Sequence, residues 1–217
     1  MKQLFLPIVT ELPECSEFLV SSCNQDAYKL MIEQCAPQYI SPSRIMLIGP
    51  KMSGKTRLGK LWCGNGLYID CKQNTLDFKI ITKHSRCVID NFYYSDEDEL
   101  FHTINRCHDY GINLLLISNE KHNFILPDLV SRLNSALQLR ILPPDNEFCI
   151  LVIQELSIIH KLKLTNTTLD YIKRTIHFNN FINLWDFRVK LKHACDINNM
   201  VLDIEIFRKV YDNWNWM

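Results

Sequence analysis

The chain has 217 residues, 47% of them hydrophobic and 22% charged, values that suit one α/β core with a smaller appendage and argue against long-range disorder. Twenty-four Lys and Arg against twenty-four Asp and Glu leave no formal net charge, which argues against attachment to DNA or anionic lipid by diffuse electrostatics, so that any nucleic-acid contact is expected to be local. Nine cysteines scattered among apolar neighbours, with no C-x-x-C pair, read as buried thiols in a reducing cytoplasm rather than as a disulfide framework or zinc site.

The N-terminal stretch MKQLFLPIVTELPE carries an apolar tract, QLFLPI, at residues 3–8. It lacks the cationic start, long apolar core and small-residue cleavage site of a signal peptide, and no stretch of the chain approaches the ~20 apolar residues of a membrane span, so a soluble protein is expected. An extended peptide of this kind places Leu4, Leu6 and Ile8 to fill apolar pockets and Gln3 to make amide hydrogen bonds, while Pro7 limits the freedom lost on docking. The pattern alone is equally compatible with an edge strand or strap on the chain's own domain.

At residues 45–63 the pattern becomes chemical. Ile45 to Ile48 read as a short buried strand, a helix opens at Lys55, and the loop between them is Gly49-Pro50-Lys51-Met52-Ser53-Gly54-Lys55-Thr56, a G-x-x-x-x-G-K-T pattern. Such a loop curls backbone N–H groups around phosphate at a helix N-terminus, its lysine reaches the outer phosphates and its threonine hydroxyl ligates magnesium. The expected cofactor is therefore ADP or ATP with Mg2+. A magnesium held from that side needs an aspartate at the end of a neighbouring strand, and CVIDNF supplies Asp90. The following residue is Asn91, which cannot take a proton from water, so binding is expected to exceed turnover.

The next segment, SDEDELFHTINRCHDYG, predicts a helix ending near Gly111, with Ser95 and Asp98 as a capping box and the acidic run as favourable charge at its N-terminus. NLLLISN reads as a buried strand whose polar tip, Ser118 and Asn119, is suited to contact a terminal phosphate or the water attacking it. LPDLVSRL is a short helix carrying Arg132, which by itself reads as a surface arginine paired with Asp128 at i, i+4. LQLRILPP is a last strand ended by a double proline. Alternating strands and helices imply a parallel sheet with crossover helices. From Asp145 onward EFCILVIQELSIIHKLKL, TLDYIKRTIH, FINLWDFRVKLKHAC and LDIEIFRKVYDNW predict four helices forming a lid, with Trp214 and Trp216 at its end reading as lid core.

These residues carry a family resemblance over residues 3 to about 200. EFLVSSCNQDAYKLM, GPKMSGKTRLGKLW, the strand ending Asp90-Asn91, LLLISN and LPDLVSRL resemble the DnaA-related AAA+ ATPases, and more closely the Hda family of regulatory inactivators of DnaA, in its alphaproteobacterial branch. The resemblance implies a P-loop αβα core with a five-stranded parallel sheet and a small helical lid, divided as a tail at 1–12, a core at 13–144 and a lid at 145–217. It makes Asn119 sensor 1 and Arg132 an arginine finger acting in trans. QLFLPI resembles the Q-L-x-L-P motif that binds the DNA polymerase III sliding clamp (beta subunit) in that family, through Gln3, Leu4, Leu6, Pro7 and Ile8. Implied partners are the DnaA initiator and the clamp, with DNA reached only through the clamp, no membrane, and a possible homo-oligomer. One departure concerns the lid, where the family's sensor 2 arginine is expected near Phe178 and Asn179 and none stands, although Arg174 and Arg188 are near. The chain also stops soon after the fourth lid helix, without the DNA-reading domain of an initiator. A loader-type ATPase with its own ATP cycle shares most of these features; a small kinase would need an arginine-lined acceptor pocket and a general base, which are not found together.

Overall fold

A computed structural model describes residues 18–33, 44–119 and 123–214. The stretch from Gln3 to Ile8, and Trp216, lie outside the described residues. A short helix α1 (Gln25–Tyr28) runs into a π-helical turn (Lys29–Glu33) and precedes strand β1 (Arg44–Ile48). The core continues through α2 (Lys55–Cys63), β2 (Leu67–Asp70), α3 (Phe78–Ile81), β3 (Arg86–Asp90), α4 (Glu97–Asp109), β4 (Asn113–Ser118), α5 (Pro127–Asn134) and β5 (Leu137–Arg140). The five strands form one parallel sheet in the order β2-β3-β4-β1-β5.

Parallel strands need crossovers, and crossovers cover both faces of a sheet, so its central strands should be apolar at every position. β1 and β4 are so between their polar ends: Ile45, Met46, Leu47 and Ile48 are buried, as are Leu114, Leu115, Leu116 and Ile117. Successive side chains divide between two cores. Ile45, Leu47, Leu115 and Ile117 pack with Leu58 and Trp62 of α2, and Met46, Ile48, Leu114 and Leu116 pack with Leu100 and Ile104 of α4 and Leu129 of α5. Each fully buried aliphatic side chain contributes roughly 1.5–3 kcal/mol.

The helical part follows as α6 (Asn146–Ile159), β6 (Lys163–Leu164), α7 (Asn166–Thr175), α8 (Phe181–Ile197), β7 (Val201–Leu202) and α9 (Ile204–Tyr211). The first of the two cores runs on into it without a break, through Phe148, Val152, Leu184 and Phe207. Phe187 lies at the centre of an aromatic cluster, its ring 5.1–5.8 Å from those of Phe178, Phe207, Tyr211 and Trp214. Trp214 is buried there, as its reading as lid core requires. The junction to the core is held by Asp145, whose carboxylate caps α6 by accepting from Phe148 N (2.6 Å) and also accepts from Ser22 Oγ (2.5 Å), Ser21 Oγ (3.2 Å) and Cys23 N (3.0 Å).

Three local expectations are corrected. The cap of α4 is Asp96, whose carboxylate accepts from Asp98 N and Glu99 N (3.0 Å each), while Ser95 Oγ donates to Phe92 O (2.5 Å) and closes the preceding turn. α6 stops before the KLKL run: Lys161 takes φ +52°, Leu162 N donates back to Ser157 O (2.8 Å) in a Schellman-type stop, and Lys163–Leu164 then pairs in parallel with Val201–Leu202. Hydrophobic period does not reveal this, because two residues are too few to show strand alternation. The Asp128–Arg132 pair is also absent from the ion pairs of the described residues, which are Lys173–Asp170, Arg188–Glu155 and Lys192–Asp196.

Candidate nucleotide-binding site

The C-terminal ends of β1, β3 and β4 lie side by side, and ligands of open α/β sheets bind outside such ends. β1 delivers Gly49, which has no room for a side chain: a Cβ there would stand 2.9 Å from Ile141 Cβ and 3.0 Å from Ile141 O. The loop then turns through Met52 (φ +61°) and Gly54 (φ +88°) before α2 begins at Lys55. Gly54 combines that left-handed backbone with the ring of Phe18, whose Cε2 would lie 3.1 Å from an added Cβ. Pro50 is half-buried, Lys51 and Met52 are exposed at the crest, and Ser53 is buried beneath it.

Lys55 is buried, only 6% exposed, and its ammonium donates to Pro50 O (2.6 Å) and Ser53 Oγ (3.4 Å). Among the described residues no carboxylate lies within ion-pair distance of it. Burial pushes its pKa down to about 8, against the opposing pull of Asp90. A buried cation supplied with only neutral acceptors is suited to an anion entering the loop. Across the cleft Thr56 Oγ1 donates to Asp90 Oδ2 (2.8 Å), and the Tyr68 hydroxyl of β2 donates to the same oxygen. Asp90 Oδ1 accepts from Asn91 N (2.8 Å). Burial, followed by the bond to Asp90, raises the Tyr68 pKa and keeps the phenol protonated.

Asn91 has φ +54°, and its amide nitrogen donates to Asp70 Oδ1 (2.9 Å) while its carbonyl accepts from Tyr93 Oη (3.4 Å). Tyr93 Oη in turn accepts from Asn119 Nδ2 (3.3 Å), so the ends of β2, β3 and β4 are joined by one polar chain. Met52, Ser53, Gly54, Lys55, Thr56, Arg57, Lys60, Asp90 and Asn119 line a cavity of about 360 Å³. This volume and donor set fit a nucleotide phosphate chain with a divalent cation: loop and Lys55 toward phosphate oxygens, Thr56 and Asp90 toward the metal. The cation, when bound, would neutralise charge on the phosphate oxygens.

The lid reaches this loop through a residue the sequence reading did not single out. Trp185, one turn into α8, donates its indole N–H to Met52 O (3.0 Å) and sets its ring edge-on to Phe148. Phe178, near which a sensor 2 arginine is expected, is instead buried in the aromatic cluster of the lid. Arg174 is exposed on the last turn of α7, and Arg188 is buried beside Glu155 (3.9 Å); neither lines the cavity. Tyr68 and Tyr93 were likewise missed, because strand alternation predicts that a tyrosine faces one side but not which carboxylate or amide it meets there. The structure thus brings together Gly49 through Thr56, Asp90 and Asn119. Arg132 stands apart, exposed on α5, where its carbonyl accepts from Arg44 Nη1 (3.0 Å).

The sheet order, the loop between β1 and α2 and the appended helical lid together define an AAA+ fold. The chain is similar to domain III of the replication initiation protein DnaA from Thermotoga maritima, at 20% identity over 92% of this chain and 95% of that one, with a TM-score of 0.69. It is also similar to AMPPCP-bound DnaA from Aquifex aeolicus (20% identity, 90% and 68% covered, TM-score 0.67) and to the Thermotoga maritima RuvB Holliday junction branch migration motor (13% identity, 86% and 67% covered, TM-score 0.64). No protein-family model and no curated protein matches the chain. Among the described residues no helix is long and apolar enough to cross a membrane.

Proposed function

We propose that the chain is an AAA+ adaptor that binds ADP or ATP with Mg2+, is tethered to the sliding clamp through Gln3, Leu4, Leu6, Pro7 and Ile8, and presents Arg132 to ATP held by the DnaA initiator. Hydrolysis of that ATP inactivates the initiator, and the chain acts as a negative regulator of chromosome replication initiation in the cytoplasm. DNA is met only through the clamp, and a homo-oligomer through the same face is compatible with this arrangement.

The observation that carries the reading is a complete phosphate cradle beside an amide, Asn91, at the position where a catalytic carboxylate would serve hydrolysis. An amide held by Asp70 and Tyr93 can neither accept the proton of an attacking water nor move easily to let another group do so. Such a site favours holding nucleotide over turning it over. Arg132 is exposed and outside the chain's own cavity, which suits a cation offered to a second protein. A finger supplied in trans contributes about 10³–10⁵ in rate in related phosphoryl transfers, enough to act as a switch without further chemistry.

The test is ATP hydrolysis by DnaA of the same organism in the presence of clamp loaded on DNA. Stimulation by the full chain is expected, and its loss on deleting residues 1–8 or on Arg132→Ala. Appreciable clamp-stimulated hydrolysis by this chain alone, without DnaA, would refute the adaptor reading in favour of a loader-type ATPase.

A further inference from the structure

We propose that Tyr68 is a positioning residue of the metal site: it fixes the Asp90 carboxylate, and through it the Thr56 hydroxyl, as a preset half of a magnesium shell. The inference rests on the nucleotide-binding reading above and adds to it a residue outside the loop and outside the Asp90 strand.

Thr56 has one hydroxyl proton, and it is given to Asp90 Oδ2 at 2.8 Å. With the proton spent there, the lone pairs of Thr56 Oγ1 remain to face a cation. That arrangement holds only while Asp90 stays in one rotamer. Three donors hold it so: Asn91 N on Oδ1, and both Thr56 and Tyr68 on Oδ2. Two of these come from the ligand itself and from the neighbouring peptide. Among the described residues only Tyr68 belongs to a different strand, and it braces the carboxylate from outside.

Tyr68 is itself held in place. It lies on β2 in register with Val88, two residue pairs back from the Asp70–Asp90 pair that ends the two strands. The Lys60 ammonium sits 5.6 Å from the centroid of its ring, and Lys60 is one helical turn beyond Thr56 on α2, lining the same cavity. Tyr68 is thus clasped between the helix that carries one metal ligand and the strand that carries the other. Partners of this kind fix the orientation of metal ligands, and their loss costs about 10–100-fold in metal affinity. A phenol that merely filled the gap between β2 and α2 would need a hydrogen-bond partner but would leave metal affinity unchanged when removed.

The experiment measures binding of N-methylanthraniloyl-ADP to the purified full chain, first in EDTA and then across a titration of free Mg2+. Tyr68→Phe is expected to leave affinity in EDTA within about twofold and to raise the Mg2+ midpoint by about tenfold or more. In an Asp90→Asn background the same substitution is expected to shift the midpoint no further, since Tyr68 acts through that carboxylate. Tyr68→His, which keeps a ring donor at the position, is expected to recover part of the loss and serves as a second variant, with folding of each checked by circular dichroism. A Mg2+ midpoint within twofold of wild type in folded Tyr68→Phe overturns the inference and leaves the nucleotide site standing. An equal shift in the Asp90→Asn background also overturns it. Failure of the wild-type chain to bind the labelled ADP under either condition overturns the nucleotide reading, and this inference with it.

Discussion

Replacing Asp145 by alanine removes a cap and unties the core from the lid in one step. In the native chain its carboxylate accepts from Phe148 N at the start of α6 and from Ser21 Oγ, Ser22 Oγ and Cys23 N of the segment before α1. Losing the cap alone costs about 1 kcal/mol. Hydrogen bonds to a charged group contribute about 1.5–3 kcal/mol each where buried, but Ser22 is exposed, so the cross-segment bonds together add about 2 kcal/mol. The expected loss is about 3 kcal/mol, or roughly 6–12 °C in Tm for a chain of this size. Burial alone would raise the Asp145 pKa, but the bonds from Ser22, Phe148, Ser21 and Cys23 outweigh it and hold the carboxyl below its ordinary value. A pKa depressed by folding means that the unfolded chain takes up the proton first as pH falls. The contribution is therefore full above the unfolded value of about 4 and disappears as pH falls through the lower folded value. Urea unfolding of wild type and Asp145→Ala, followed by far-UV circular dichroism at pH 7 and at pH 3, measures both effects. A difference below about 1 kcal/mol at pH 7, or one that stays constant down to pH 3, would refute the reasoning.

Two further outcomes follow from the loop. Lys55→Met is expected to abolish nucleotide binding while leaving folding stability unchanged or raising it by about 1–3 kcal/mol, because a buried, solvent-stripped cation is replaced by an apolar side chain of similar length. Binding of labelled ADP and urea unfolding on the same preparation test this, and a clear loss of stability would contradict it. Trp185→Phe keeps the ring against Phe148 but removes the donor to Met52 O, a bond worth about 1 kcal/mol, so ADP should bind about fivefold more weakly. An unchanged ADP affinity would show that the indole contact does not support the loop in its binding conformation.

How much of this was legible in the sequence depends on whether the chemistry is local. The loop from Gly49 to Thr56 can be read because its function needs contiguous residue types: a glycine where Ile141 leaves no room, another at φ +88°, a lysine and a hydroxyl at the first turn of α2. Asp90 and Asn119 can be read as polar ends of apolar strands, and parallel pairing sets all strand ends at one edge. The brackets around the site were not legible. Tyr68 meets Asp90 across 22 positions, and Trp185 meets Met52 across 133. Local pattern carries no record of either meeting, since each is decided by which strand lies at the sheet edge and how α8 lies over the loop.

The same distinction bears on Asn91. From the sequence its importance is negative, a missing carboxylate. In the structure it is an active junction, linking Asp70 on one side to Tyr93 and then Asn119 on the other. Restoring a carboxylate by Asn91→Asp would therefore not simply supply a base: it would remove the amide donor and set a negative charge against Asp70, whose oxygen now lies 2.9 Å from the amide nitrogen. Like charges that close cannot both stay ionised at low cost. The amide is built into the strand ends, and in the proposed reading the preference for holding nucleotide over hydrolysing it rests on that network rather than on one side chain.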